Sequence, residues 1–455
     1  VGRSRALLLV AALTVPLTAC GASKVAAPSS ATGAGPSAAP TASGSNSAPG
    51  PAAAPNAFGV RAAHITSFGW ADAALRDPIL QLIRDKKLDT VQLDIKDEDG
   101  VVGYDSQVPL AVQAGTVIKR FDIKEAVDTI HGLGAKVVGR IVAFRDPRLA
   151  RWAVKNNKMD YVIQNTSGGA YNAGTYGTAS FTNFANNDVI DYNVALGEEA
   201  AKHGFDGIMF DYLRKPENEG QVYPGIGSRT AAQAIVDFVK TAATRIHAAG
   251  ATAGVAVFGI SAFAPTLVAQ DVPGMAQYVD FISPMVYPSH WHAGEYSVSS
   301  PVNQPYEIVK RSLMDFNRLV IGTKCRIVPW LQNFSWPIPY SAGDVGAQIK
   351  AARDVGLNSF YLWNDSSKVG LGAPALEAHD TASDAPGQLM YSVSKPGAAS
   401  DGTTDLAKAK EFIDAYLAWA SGGRQGQFVD PLKPATASPA PSSSSKSPSP
   451  TSTPR

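Results

Sequence analysis

An α/β barrel of eight parallel β/α units, the (β/α)8 TIM-barrel class, is the fold this sequence predicts. Three observations carry it. Short runs rich in β-branched and aromatic residues recur through the middle of the chain with helical periodicity between them, the rhythm of strands joined by crossover helices. Eight such runs can be counted, and they spread over roughly 310 residues, the length of a barrel carrying one insertion. Polar and aromatic residues gather past the C-terminal ends of several runs, where such a barrel keeps its chemistry. A doubly wound open sheet is the alternative arrangement of the same units.

The strands are expected at Val60–Thr66, Thr90–Ile95, Lys136–Ala143, Gly207–Phe210, Gly254–Phe258, Phe281–Val286, Arg318–Gly322 and Ser359–Trp363. Apolar residues at helical spacing place helices at Ile79–Lys86, Ile123–Leu133, Val189–His203, Ala231–Ala249 and Val345–Val355, and a long insertion separates the third strand from the fourth. In the second strand, alternation puts Val91, Leu93 and Ile95 on one face and Gln92, Asp94 and Lys96 on the other. Polar side chains facing a barrel interior are costly unless paired or used. Asp211 closes the apolar fourth strand and shares parity with Gly207 and Met209.

The remainder of the 455 residues frames this domain. Residues 1–20 read as a lipoprotein signal: Arg3 and Arg5 precede an apolar run from Ala6 to Leu17, too short to span a bilayer, and Leu17-Thr18-Ala19-Cys20 looks like a lipobox with Cys20 the acylated residue. Such a protein is expected outside the cytoplasm, held to the lipid bilayer by an N-terminal acyl anchor. Residues 21–57 are an Ala/Pro/Ser/Gly tether with nothing to bury. The barrel domain is assigned to 58–370, an extension with a helix at Asp405–Trp419 to 371–430, and a disordered Pro/Ser tail to 431–455.

Composition excludes several classes. Forty basic residues against thirty-nine acidic give a net charge of +1, so no global field draws nucleic acid. The two cysteines, Cys20 and Cys325, form no zinc-like cluster. Asp97, Glu98 and Asp99 lack the order of a calcium loop, and neither GxGxxG, GxxxxGK[ST] nor GxSxG occurs, so neither metal nor nucleotide cofactor is expected. Trp70, Tyr212, Tyr287, Trp291, Trp330 and Trp363 fall at or beyond strand ends, where flat rings could stack on sugars, and a monomer acting on a polysaccharide or oligosaccharide is the expectation.

The segments VQLDIKDEDG, GFDGIMFDYLRKP, DFISPMVYPSHW, VPWLQNF and FYLWN occur in the order found in a bacterial family of TIM-barrel glycosyl hydrolase domains, secreted or lipid-anchored, which residues 58–366 resemble. The resemblance implies that Asp211 is the leading catalytic residue. It also implies roles at the mouth for Asp94, Lys96, Asp97, Arg140, Tyr212, Arg214, Tyr287, His290, Trp330, Gln332, Trp363 and Asn364. Glycosidic hydrolysis needs two acids with separated pKa values, and Asp94 is the expected partner of Asp211, with Asp97 next. This chain departs from the family at the fifth strand, where Gly254-Val255-Ala256-Val257-Phe258-Gly259 carries no acid. A sugar-binding surface lipoprotein without catalysis is therefore the second expectation.

Overall fold

The computed structural model describes residues 60–378. In chain order, β1 (Arg61–Ile65) is followed by α1 (Ser67–Ala71) and α2 (Ala73–Arg84), and β2 (Thr90–Lys96) by α3 (Pro109–Gln113) and α4 (Ile123–Gly132). Next come β3 (Lys136–Val142), α5 (Pro147–Lys155), α6 (Asn187–Lys202), β4 (Gly207–Asp211), α7 (Ala231–Ala248) and β5 (Thr252–Phe258). The chain continues through α8 (Pro265–Val268), α9 (Val272–Ala276), β6 (Phe281–Met285), α10 (Pro305–Leu319), β7 (Arg326–Ile327), β8 (Trp330–Gln332), α11 (Ala342–Asp354) and β9 (Phe360–Trp363). Cys20, the tether, the helix at Asp405–Trp419 and the Pro/Ser tail lie outside the described residues.

Every strand pairing is parallel, and the ring closes through β1 with β9, β9 with β8, and β6 with β5. β7 and β8 are two halves of one stave, both paired with β6 and separated by Val328-Pro329. Proline has no N–H to give a ladder, so the stave is interrupted there. The barrel therefore has eight staves. The seventh differs from expectation: the apolar run Arg318–Gly322 is the end of α10 and the turn after it, not a strand. Ile308, Val309, Ser312, Leu313 and Phe316 of α10 are buried at helical spacing, so the run belongs to a helix face.

Helix starts follow from their caps. Asp122 accepts from the Lys124 and Glu125 amides at α4, Asn186 from Val189 at α6, and Thr230 forms a reciprocal capping box with Gln233 at α7. Two apolar clusters result. The larger lies between staves and helices. The smaller fills the barrel and includes Ala62, Val138, Met209, Ala256, Phe281 and Tyr361. Strand residues two further on point inward one layer higher, at the C-terminal rim. That step leads from Ala62 to His64, Gln92 to Asp94, Val138 to Arg140, Met209 to Asp211, Ala256 to Phe258, and Tyr361 to Trp363.

Candidate active site

This upper layer is built around one guanidinium. Arg140, 1% exposed, donates from Nε and Nη2 to Asp211 Oδ2 at 3.0 and 2.7 Å and from Nη1 to Asp94 Oδ1 at 2.9 Å. Its Nη2 also bonds Glu98, which rises from the loop after β2. Asp94 and Asp211, distant in sequence, thus meet at one rim, joined by a third acid that the sequence reading left aside. His64 on β1 was missed as well: Nε2 lies 3.0 Å from Asp94 Oδ1, and Nδ1 lies 3.0 Å from the Asn364 carbonyl. Its signal was available, since it is a polar residue sharing parity with the inward Ala62.

The acids differ in their surroundings. Burial pushes Asp211 above the ordinary carboxylate range, more than its bonds to Arg140 draw it down. Burial acts the same way on Asp94, but Arg140 and His64 together outweigh it and hold the carboxyl low. At Glu98 burial is again opposed by Arg140, and the carboxyl is held below its usual value. Glu98 is the most open of the three, its side chain 29% exposed, against 0% for Asp94 and 1% for Asp211. Asp211 Oδ1 accepts from the Tyr212 amide at 2.6 Å. Tyr212 itself has φ +52°, a conformation disfavoured for a bulky residue and held here at the end of β4.

The loop presenting Glu98 is fixed from beneath. Asp97 Oδ1 accepts from the Asp99 and Val101 amides at 3.0 and 2.9 Å, and burial pushes this carboxyl up to about 7. Asp97 thus serves as the brace of the turn. Gly100 has φ +76°, and a Cβ there would lie 2.1 Å from Asp146 Oδ1, so only glycine fits.

Lys96 is placed differently from its expected role. A register shift between Asp94 and Lys96 against β3 inserts an extra residue, which turns Lys96 off the face that Asp94 occupies. Its Nζ donates to Asp146 Oδ2 and Asn193 Oδ1, both at 2.8 Å, and to the Ala143 carbonyl at 3.2 Å. All three protons are used inside the protein, so Lys96 has none left for a ligand. Asp146 meanwhile caps α5 through the Leu149 amide. Lys96→Met is expected to lower the unfolding free energy by roughly 3–5 kcal/mol in a denaturant titration, by leaving Asp146 buried without its cation. Glycan affinity of the surviving folded protein should be little changed.

Several other expected site residues are spoken for by the scaffold. Gln332 accepts from the Ser289 amide at 3.0 Å and donates to the Phe334 carbonyl at 3.0 Å, tying the loops after β6 and β8 together. The Asn364 side chain donates to the Asn333 carbonyl and accepts from Ser366 and Lys368, while its own carbonyl orients His64. Arg214 is buried, ion-paired to Glu217 at 3.0 Å and stacked on Phe258. Trp330 is 1% exposed and lies flat under Trp363, ring centroids 4.4 Å apart, so it offers no free face. Trp70 and Trp291 also depart from the sugar-stacking expectation: Trp70 joins the outer apolar cluster, and Trp291 packs on Phe263 and Tyr296.

What remains open at the mouth is Glu98, with half-buried Tyr212, Trp363 and Phe334 and exposed His290. His290 meets the edges of Tyr287, Phe334 and Trp336. Tyr287 is buried, its hydroxyl has no hydrogen-bond partner among the described residues, and Asp211 contributes to pushing its pKa up after burial does. Beside Trp363, the loops after β8 and β9 border an open cleft of about 430 Å³ lined by Asn333, Phe334, Asn364, Asp365 and Lys368 among others, a size suited to a small-molecule group. Among the described residues no cluster of His, Cys, Asp and Glu could hold a metal ion.

Fold and site together define a TIM barrel with an acid-lined mouth. The chain belongs to the family described as "Putative glycosyl hydrolase domain", which matches residues 62–369. No curated protein matches it. Among solved structures, the glycoside hydrolase domain of PgaB (BpsB) from Bordetella bronchiseptica is similar at 15% identity, over 68% of this chain and 94% of that one, with a TM-score of 0.50. This is a likeness of fold. A hypothetical protein from Ruminiclostridium thermocellum ATCC 27405 is 25% identical over 42% of this chain and 96% of its own, with a TM-score of 0.38. The endo-beta-1,4-mannanase from Thermotoga petrophila is 12% identical over 70% of this chain and 76% of its own, with a TM-score of 0.44.

Proposed function

We propose that this protein hydrolyses glycosidic bonds in a cell-surface or environmental polysaccharide, with Asp211 as general acid. The carrying observation is the convergence of three carboxylates on one buried guanidinium at the C-terminal mouth, with their proton affinities pushed apart. Asp211, raised, is suited to give a proton to the leaving oxygen as the C–O bond breaks. Glu98, held ionised and partly open, is suited to be the second carboxylate, attacking carbon or activating water. Asp94 is fully enclosed and divides one oxygen between Arg140 and His64, which suits it to positioning both. The test is reducing-end release from a panel of bacterial and fungal polysaccharides by the full-length protein.

A second reading, glycan binding without cleavage, is favoured by the fifth stave. Ala256 lies within the barrel filling, and the next inward position is Phe258, which stacks on Arg214. Retention on immobilised glycans with no cleavage of any panel member would select this reading.

We further propose that Cys20 is lipidated and anchors the protein outside the cytoplasm. Cells fed a clickable palmitate analogue should label the wild type, and Cys20→Ser should lose the label and appear in the medium. Equal labelling of both would refute the anchor.

A further inference from the structure

The three fully buried cations of the upper barrel are neutralised. Arg140 binds three acids, Arg214 binds Glu217, and Lys96 binds Asp146. Arg145, three residues past the end of β3, differs: it is half-buried and makes no ion pair among the described residues. Its one side-chain hydrogen bond runs from Nη1 to the Tyr212 hydroxyl at 3.0 Å. The guanidinium lies over the Tyr212 ring at 5.3 Å and the Tyr176 ring at 4.9 Å, so two aromatic faces hold it. Glu98, the proposed second carboxylate, and Arg145 act on one another electrostatically, which places Arg145 on the side of the mouth where Glu98 stands.

A guanidinium has five N–H donors, and at Arg145 the Tyr212 hydroxyl takes only one of them, which leaves the others for a ligand. Its rigid fork suits a planar or tetrahedral oxyanion. With a net charge of +1, the chain as a whole has little attraction for anions, so any preference must be local. We propose that Arg145 is a specificity residue that recognises an anionic substituent on the sugar next to the scissile bond, making the substrate an acidic polysaccharide. This rests on the glycan-cleft reading and adds the substrate class to it.

The test is affinity electrophoresis of the full-length protein through gels holding matched polymer pairs: polygalacturonate and its carboxyl-reduced form, dextran sulfate and dextran, phosphorylated mannan and mannan. At least one charged polymer should be bound roughly 10- to 100-fold more tightly than its neutral partner, the range for a charge-assisted contact. The pair that shows it identifies the anion as carboxylate, sulfate or phosphate. Arg145→Gln should collapse the ratio towards one, whereas Arg145→Lys should keep part of it. If the Gln variant fails to fold, the wild-type ratio falling steeply as salt rises from 20 to 300 mM carries the same test. Equal binding within every pair, or a ratio untouched in Arg145→Gln, overturns the proposal alone. Binding to no polymer overturns both it and the glycan-cleft reading.

Discussion

Asp211→Asn is expected to lower kcat on a natural polysaccharide by roughly 10²- to 10⁴-fold, the share usual for a positioned general acid. The fold should survive, because the amide oxygen can turn to accept from Arg140, giving up the bond from the Tyr212 amide, and Arg140 keeps Asp94 and Glu98. An aryl glycoside whose leaving group departs without a proton should lose far less, which separates proton donation from simple damage to the mouth. The pH profile carries a second signature. Asp211 acts only while protonated, and its carboxyl is raised from 3.8, so kcat/KM should fall on the alkaline side as it ionises. Glu98 acts only while ionised, and its carboxyl is held below 4.5, so the acid limb should lie lower still. In Asp211→Asn the alkaline limb should vanish and the acid limb remain. Glu98→Gln should do the reverse. Unchanged reducing-end release in Asp211→Asn would remove it from the chemistry altogether.

The part of this site that could be read from sequence is the part written in strand alternation. Asp94, Arg140 and Asp211 each stand two residues above an inward barrel residue, so counting by twos carries them to one rim once the ring closes. The same counting misplaced Lys96, because an extra residue in β2 breaks the period one step after Asp94. Nothing local in VQLDIKDEDG announces that bulge. It follows from pairing with β3, which is a tertiary matter. The seventh stave failed for a related reason: Arg318–Gly322 has the composition of a strand, while the true stave is short and split by Pro329. Composition could not rank them, although the buried spacing from Ile308 to Phe316 is helical in retrospect. Glu98 and Arg145 lie on loops, where no periodicity fixes direction, and only the assembled mouth shows that one meets Arg140 and the other Tyr212. Of the tryptophans, Trp363 does end β9, while Trp330 opens β8 and Trp70 and Trp291 lie in the outer apolar cluster, and residue type alone could not tell that Trp330 would spend its face on Trp363.

Arg140→Met is expected to destabilise the folded domain by roughly 3–5 kcal/mol at neutral pH, the usual result of stripping one partner from a buried ionic group. The methionine fills much of the volume but leaves Asp94 and Asp211 enclosed and beside one another, with Glu98 close by. The contribution that the acids bound to Arg140 make to the pH dependence should change sign. In the wild type, Asp94 and Glu98 are held below 3.8 and 4.5, so the stability they contribute is present above those values and lost as pH falls through their lower folded-state pKa values. The raised Asp211 works against this trend and shallows it. Without Arg140, burial acts on Asp211 and Glu98 with much less opposing it, and their folded-state pKa values rise above the unfolded ones, while His64 still partly offsets burial at Asp94. Stability is then greatest where the acids are protonated and is lost as pH climbs through the raised values. Asp97, raised to about 7, costs both proteins stability as pH climbs, so the readout is their difference: in urea titrations at pH 4, 5.5 and 7 the deficit of Arg140→Met against the wild type should widen as pH rises. Parallel curves for the two proteins would mean that the three acids are not held by Arg140, and the account of their separated proton affinities would fall with it.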